Sequence, residues 1–66
     1  MSLGPVTARK HAECVWRVSR DGRYVGTVTL MPDGQYAAVY RYATVGHAGT
    51  LAGALTFYDD LEAPDD

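Results

Sequence analysis

Cys14, His11 and His47 are the side chains of this 66-residue chain whose types could supply nucleophilic catalysis. Such a nucleophile needs an adjacent base and a shielded pocket. We expect Cys14 to pack as a small hydrophobic side chain on a buried sheet face. Both histidines are expected to be exposed to solvent, His11 in an N-terminal arm and His47 in a loop. Because these groups do not converge, the sequence predicts that the protein is not an enzyme.

Metal and cofactor sites are not indicated by the sequence either. One cysteine and two histidines far apart in the chain match none of the spacings of structural zinc sites. Gly46, Gly49 and Gly53 follow neither the P-loop nor the dinucleotide-binding spacing, and no Lys-Ser or Lys-Thr pair follows them. We therefore expect no cofactor, no metal ion and no small-molecule substrate.

Charge is unevenly distributed along the chain. Six Lys and Arg residues oppose eight Asp and Glu residues, which gives a net charge of -2. Residues 1–58 hold all six bases and three of the acids, an excess of three positive charges. This excess is well below the charge density that marks a dedicated nucleic-acid-binding protein. The other five acids fall in the last eight residues, at Asp59, Asp60, Glu62, Asp65 and Asp66.

The cellular compartment is suggested by the cysteine count and the hydropathy. A single cysteine cannot form an internal disulfide, which favours a reducing compartment. No segment has the roughly 18 consecutive apolar residues of a membrane helix, and the N-terminus lacks the apolar region of a secretory signal. We expect a cytoplasmic protein without membrane contact. A chain this short has room for one core, and such small domains often gain stability by oligomerising.

Two Asp-Gly turns divide the middle of the chain into three predicted strands, at residues 14–20, 23–31 and 35–44. In the second turn, Pro32 suits the fixed φ of a type I turn and Gly34 suits a positive φ. This combination is typical of a three-residue hairpin loop with a bulge.

The first turn, at Asp21-Gly22, can be built in two ways. A bulged loop would place Gly26 between Trp16 and Tyr40, where the missing side chain leaves room for both rings. A two-residue type I′ turn would instead divide the aromatic residues between the two sheet faces. We expect the bulged loop. The buried face then carries Cys14, Trp16, Val18, Tyr24, Val28, Leu30, Tyr36, Ala38, Tyr40 and Tyr42.

Apolar residues at helical spacing predict one C-terminal helix over residues 50–62. Thr50 is placed to cap its N-terminus. Gly46 and Gly49 fit either a loop before this cap or a longer helix capped by Thr44. We expect the loop, because interior glycines destabilise a helix. The apolar stripe of the helix consists of Leu51, Ala54, Leu55, Tyr58 and Leu61.

The predicted fold class is α+β, a three-stranded antiparallel meander with the helix packed on one face. The single domain spans residues 14–62, between a flexible arm at residues 1–13 and an acidic tail at residues 63–66. The helix should cover the aromatic face, because that face has more apolar area to remove from water. The other face is the candidate interaction surface, and its candidate residues are Val15, Arg17, Val25, Thr27, Thr29, Met31, Val39 and Arg41.

Two functions fit such a surface. The first is a small non-catalytic interaction module that self-associates as a homodimer or binds another protein, for example as a regulatory inhibitor or an antitoxin-like protein. Its support is the apolar band on a sheet with one helical cover. The alternative is a nucleic-acid-binding domain that uses the exposed sheet face together with the basic arm around Arg9 and Lys10.

Two resemblances accompany these hypotheses. Arg17 and Arg41 on a three-stranded sheet with one helix resemble the domains of ethylene-responsive transcription factors and the arm-binding domains of tyrosine recombinases. That resemblance implies a sheet that enters a DNA groove. The Asp21-Gly22 turn, followed by Gly49-Thr50-Leu51 and Ala54-Leu55, is similar to HicB-like antitoxins over less than half of the chain. No family is assigned on these patterns.

Overall fold

Five strands, consecutive in the chain, form a single antiparallel sheet in the order β1-β2-β3-β4-β5. The computed structural model describes residues 5–59 and 61. A short α-helix and one 3-10 turn follow the last strand. The strands are β1 (Thr7–Ala12), β2 (Val15–Arg20), β3 (Arg23–Leu30), β4 (Tyr36–Tyr40) and β5 (Ala43–Ala48), and the helical segments are α1 (Leu51–Leu55) and the 3-10 turn (Thr56–Tyr58).

The α+β arrangement of an antiparallel sheet with one C-terminal helix is confirmed, but the prediction of three strands is wrong. Residues 7–12, expected in a flexible arm, form β1 and pair with β2. Residues 35–44, expected as one strand, contain β4, a turn at Arg41-Tyr42 and the start of β5. The chain therefore departs from the three-stranded domains that its predicted topology resembled. The predicted acidic tail at residues 63–66 lies outside the described residues.

The first turn is the two-residue form, so the expected bulged loop is wrong. Asp21 and Gly22 both have positive φ, at 52° and 80°, and Arg20 pairs directly with Arg23. A bulge at Val25 then shifts the register, so that Val18 pairs with Gly26 rather than with Val25. The bulge turns Val25 into the core, where it is 1% exposed.

The second turn has the predicted form. The Met31 amide donates to the Gln35 carbonyl at 2.8 Å, and Gly34 has a φ of 87°. Leu30 accordingly pairs with Tyr36, as the sequence predicts. Pro32-Asp33-Gly34 is therefore a reliable local signal, because each of its residues is suited to the backbone angles of that loop.

The core lies between one face of the sheet and the helical segment. The predicted helical stripe is confirmed, with Ala54 and Tyr58 fully buried. Thr50 caps the helix as expected, since its hydroxyl oxygen accepts from the Gly53 amide at 3.0 Å. The helix is shorter than the predicted span of residues 50–62, and residues 60 and 62 lie outside the described part. The buried cluster is Val18, Val25, Val28, Ala38, Ala54 and Tyr58.

Tyr58 fixes the helical segment to the sheet backbone. Its hydroxyl lies 2.7 Å from the Val39 carbonyl oxygen and 3.0 Å from that of Thr27. A Cβ on Gly26 would collide with the Val39 carbonyl and would stand 2.6 Å from the Tyr58 ring. The strand glycine therefore makes room for this helical tyrosine, and not for the rings of Trp16 and Tyr40 that the sequence suggested.

Burial raises the pKa of Tyr58 to about 12. An unfolded tyrosine loses its proton near pH 10. The unfolded chain therefore binds fewer protons than the folded chain at higher pH, and stability falls as the pH rises from about 10 to about 12. We expect the difference in unfolding free energy between wild type and Tyr58→Phe to shrink over this range, measured by urea denaturation at each pH. A difference that stays constant would contradict this role of burial.

Arg20 is a buried base that the sequence did not single out, 6% exposed. Its guanidinium donates to the main-chain carbonyls of Tyr58, at 2.6 Å, and of Leu61. These carbonyls end the helical segment, where a cation is favoured by the helix dipole. Within the described residues, no buried side-chain nitrogen or oxygen lacks a hydrogen-bond partner. Arg20 and Tyr58 together hold the helical segment against the sheet.

Candidate interaction surface

We call the sheet face opposite the helical segment the open face. Strand alternation and the observed pairing arrange its side chains in three rows across the sheet. The row nearest the Asp21-Gly22 turn crosses three strands, and the other two cross all five. The rows are Thr7, Ser19 and Tyr24; Arg9, Arg17, Thr27, Val39 and Thr44; and Ala12, Val15, Thr29, Ala37 and His47.

The central row brings two arginines together. Arg9 on β1 is the direct cross-strand partner of Arg17 on β2, and both are exposed. None of the residues in the three rows is acidic. The acidic residues that the structure describes lie in turns or after the helical segment, at Glu13, Asp21, Asp33 and Asp59. The open face is therefore positively charged, although the chain as a whole is acidic.

Tyr24 extends this charged patch with an aromatic ring. The Arg17 guanidinium lies over the ring, 4.9 Å from its centroid. The Tyr24 hydroxyl is 2.7 Å from the Thr27 hydroxyl, which fixes the ring in place while 47% of the residue stays exposed. The sequence had placed Tyr24 on the buried face. The bulge at Val25 instead turns it to the open side, next to Arg17.

The eight residues predicted for the interaction surface are divided by the structure. Arg17 is exposed on the open face, and Val15, Thr27, Thr29 and Val39 are half-buried there.

The other three lie elsewhere. Val25 belongs to the core because of the bulge in β3. Met31 lies just after the end of β3 and is 39% exposed. Arg41 lies in the turn between β4 and β5. The apolar band predicted for this face therefore loses two of its five residues, Val25 and Met31, and the predicted band was Val15, Val25, Met31, Ala37 and Val39.

The turn Arg41-Tyr42 projects from one end of the sheet, and we call it the hairpin tip. Both residues have positive φ, at 51° and 68°. The Arg41 guanidinium lies over the Tyr40 ring at 5.6 Å from its centroid. Tyr42 was expected on the buried face, yet it is fully exposed, at 104% of its reference area. The tip thus has a cation over the Tyr40 ring, which packs against the core, and an unshielded aromatic ring at Tyr42.

The candidate catalytic residues are not brought together. Cys14 is an exposed free thiol in the turn between β1 and β2, so its expected burial is wrong. His11 lies on β1 and His47 on β5, at opposite edges of the sheet and about 19 Å apart at the usual strand spacing. Among residues 5–59 and 61, no three His, Cys, Asp or Glu side chains are placed to hold a metal ion.

Sequence reasoning placed Arg9 in a flexible arm instead of on the sheet, and it placed Tyr24 and Tyr42 on the buried face. Arg9 lies in a polar segment without the alternation that identifies a strand. Tyr24 was misplaced because Gly26 was interpreted as room for two aromatic rings, whereas this strand glycine accompanies the bulge at Val25. Tyr42 lies in a tight turn that lacks the Asn or Gly expected there.

No helix in the described part of the chain is long and apolar enough to cross a bilayer. Protein-family models, curated proteins and solved structures yield no match to this chain.

Proposed function

We propose that this chain is a small non-catalytic module that binds nucleic acid through its open face. The observation that carries the proposal is the direct pairing of Arg9 with Arg17 on a face whose described residues include no acid. Like charges directly opposite each other on neighbouring strands are destabilising. A bound polyanion removes this repulsion, because each arginine can then pair with a phosphate and release counterions.

The remaining side chains of the open face suit the same partner. Hydroxyl groups donate readily to phosphate oxygens, and Ser and Thr side chains are among the groups that contact the nucleic-acid backbone. Tyr24 adds a half-exposed ring held in place by Arg17 and Thr27. Such a ring can stack on a base. The hydroxyl residues of the face are Thr7, Ser19, Thr27, Thr29 and Thr44.

Binding of a protein through an apolar open face has less support than the sequence suggested. Val25 lies in the core and Met31 lies beyond the strand, which leaves Val15 and Val39 half-buried among polar neighbours. A charged and hydroxyl-rich surface of this kind matches a polyanion better than an apolar partner.

The binding test is a titration of labelled DNA and RNA oligonucleotides, followed by fluorescence anisotropy at several salt concentrations. We expect affinity to fall with salt. The slope of log affinity against log salt should decrease by about one for Arg9→Ala and again for Arg17→Ala. Lys10→Ala is the matched control, because Lys10 is the next residue on β1 and lies over the Trp16 ring on the other face.

The outcomes of this titration are distinct. Loss of slope in the two arginine variants, with a wild-type slope in Lys10→Ala, supports binding on the open face. Equal losses in all three variants would indicate attraction to overall charge and would contradict this site. Absence of binding to every oligonucleotide at low salt would contradict the proposed function.

Self-association is a second candidate, favoured by the sheet edge at β5. This strand, Ala43–Ala48, has no Lys, Arg, Asp or Glu, and its Val45 is 41% exposed. Charged residues on an edge strand normally discourage pairing with another sheet, and β1 at the other edge has them. Pairing of β5 with the β5 of a second copy would be two-fold symmetric. Sedimentation equilibrium that gives a monomer at high micromolar concentration would contradict it.

A further inference from the structure

The two tight turns at the same end of the sheet have the same backbone form but different residues. Asp21-Gly22 and Arg41-Tyr42 both have positive φ at their two central positions. Asp-Gly is among the residue pairs that adopt this form at low cost. A bulky aromatic residue at positive φ is an outlier that the surrounding structure must maintain. The hairpin tip is therefore strained, whereas the first turn is not.

The chain gains little packing in return for this strain at Tyr42. The residue is fully exposed, so no residue of the described chain shields its ring from water. Arg41 has one neighbour of note, the Tyr40 ring beneath its guanidinium. An exposed aromatic ring on a strained turn contributes nothing to the core. Backbone strain of this kind is concentrated at sites that contact ligands.

The tip lies close to the central row of the open face in the pairing register of the sheet. The central row runs from Arg9 through Arg17 to Val39 and Thr44, and the Tyr40-Ala43 pair is the next one toward the tip. The tip thus lies one residue pair beyond a row that carries positive charge. A strand of nucleic acid that followed this row from β1 to β5 would reach the β4-β5 side of the sheet, where Tyr42 lies.

We propose that the hairpin tip is a base-stacking element that makes the module selective for single-stranded nucleic acid. This rests on the proposed function of the open face. Tyr42 stacks on an unpaired base. The bases of a duplex are already stacked and paired, so their faces are closed to the tip. The duplex retains the phosphate contacts to Arg9 and Arg17 but not the contact to Tyr42.

The experiment compares a single-stranded thymidine oligomer with a duplex of equal length, by fluorescence anisotropy at several salt concentrations, and affinities are compared at the same salt concentration. Wild type should bind the single strand at least tenfold more tightly. Tyr42→Ala should weaken single-strand binding roughly tenfold or more, with little change for the duplex. Tyr42→Phe keeps the ring and should bind as wild type does. The salt slope should be the same in all three proteins, because the ring carries no charge.

Tyr42→Gly distinguishes the loss of the aromatic ring from damage to the fold. Glycine adopts positive φ without strain, so this variant should unfold at a higher temperature than wild type while binding the single strand as weakly as Tyr42→Ala. Loss of binding then cannot be attributed to a damaged fold.

Failure of this proposal and failure of the proposed function give different results. Salt-dependent binding that depends on Arg9 and Arg17 but is unchanged in Tyr42→Ala would overturn the role of the tip and leave the function in place. Equal affinity of wild type for single strand and duplex would overturn it as well. Absence of binding to either oligomer would overturn the proposed function and the role of the tip together.

Discussion

Gly26→Ala is expected to destabilise the fold by about 3 kcal/mol, the upper part of the range for overpacking a core. The new methyl group would collide with the Val39 carbonyl and stand 2.6 Å from the Tyr58 ring. Neither neighbour can yield easily, because one is strand backbone and the other is fully buried. A domain of this size has a stability of only about 3 to 5 kcal/mol, so the variant should be largely unfolded at moderate temperature.

Gly49→Ala is the matched control for this substitution. A Cβ on Gly49 would meet no atom within 4 Å. Both substitutions reduce the entropy of the unfolded chain in the same way, so the difference between them isolates the collision at Gly26. Thermal and urea unfolding of the two variants measure it. Equal stabilities would show that neither the Val39 carbonyl nor the Tyr58 ring restricts the space at Gly26.

Arg20→Met should destabilise the fold by about 2 to 4 kcal/mol, because hydrogen bonds from a charged donor contribute about 1.5 to 3 kcal/mol each. The carbonyls of Tyr58 and Leu61 would lose their guanidinium donor. Methionine retains an unbranched apolar stem, so the loss is mainly that of the polar contacts. Urea denaturation gives the change in unfolding free energy.

Arg23→Met is the control for this second substitution, since Arg23 is the cross-strand partner of Arg20 and is exposed. An exposed substitution of this kind should change stability by no more than about 0.5 kcal/mol. The loss of stability in Arg20→Lys should be smaller than in Arg20→Met and larger than in Arg23→Met. An ammonium keeps the charge but lacks the planar fork that reaches both carbonyls. A wild-type stability for Arg20→Met would indicate that the Arg20 hydrogen bonds do not stabilise the docking of the helical segment.

The parts of the fold that were predicted correctly depend on local signals. Pro32 and Gly34 have the backbone preferences of their loop, and Thr50 has the hydroxyl that caps a helix. The apolar spacing around Ala54 and Tyr58 identifies the buried side of the helical segment. Each of these features involves residues close together in sequence, and local physical preferences are enough to specify them.

The missed strand and the missed turn have a common cause, since each is maintained by contacts distant in sequence. β1 is an edge strand of mostly exposed polar residues, and its hydrogen bonds to β2 require no apolar alternation. The turn at Arg41-Tyr42 has residues that disfavour its backbone form. It is maintained by the pairing of β4 with β5. Propensity alone therefore predicts an uninterrupted strand.

The candidate surface was predicted only in part, because the register at the start of β3 differs from the predicted one. The first turn has a different form from the predicted one, and a bulge follows it at Val25. The two differences in register cancel along most of β3, so Thr27 and Thr29 stay on the predicted face. They do not compensate at the bulge itself. Val25 and Tyr24 exchanged sides for that reason, and the charged aromatic patch was missed because Gly26 was interpreted as a packing feature and not as part of a bulge.

The succession of strands also has a consequence for the order of folding. Each strand pairs with the one before it in the chain, so every hairpin closes a short loop at low entropic cost. The contacts from Arg20 to Tyr58 and Leu61 instead join segments about forty residues apart. We expect the sheet to assemble first and the helical segment to dock afterwards, so these late contacts govern the lifetime of the native state more than the speed at which it forms.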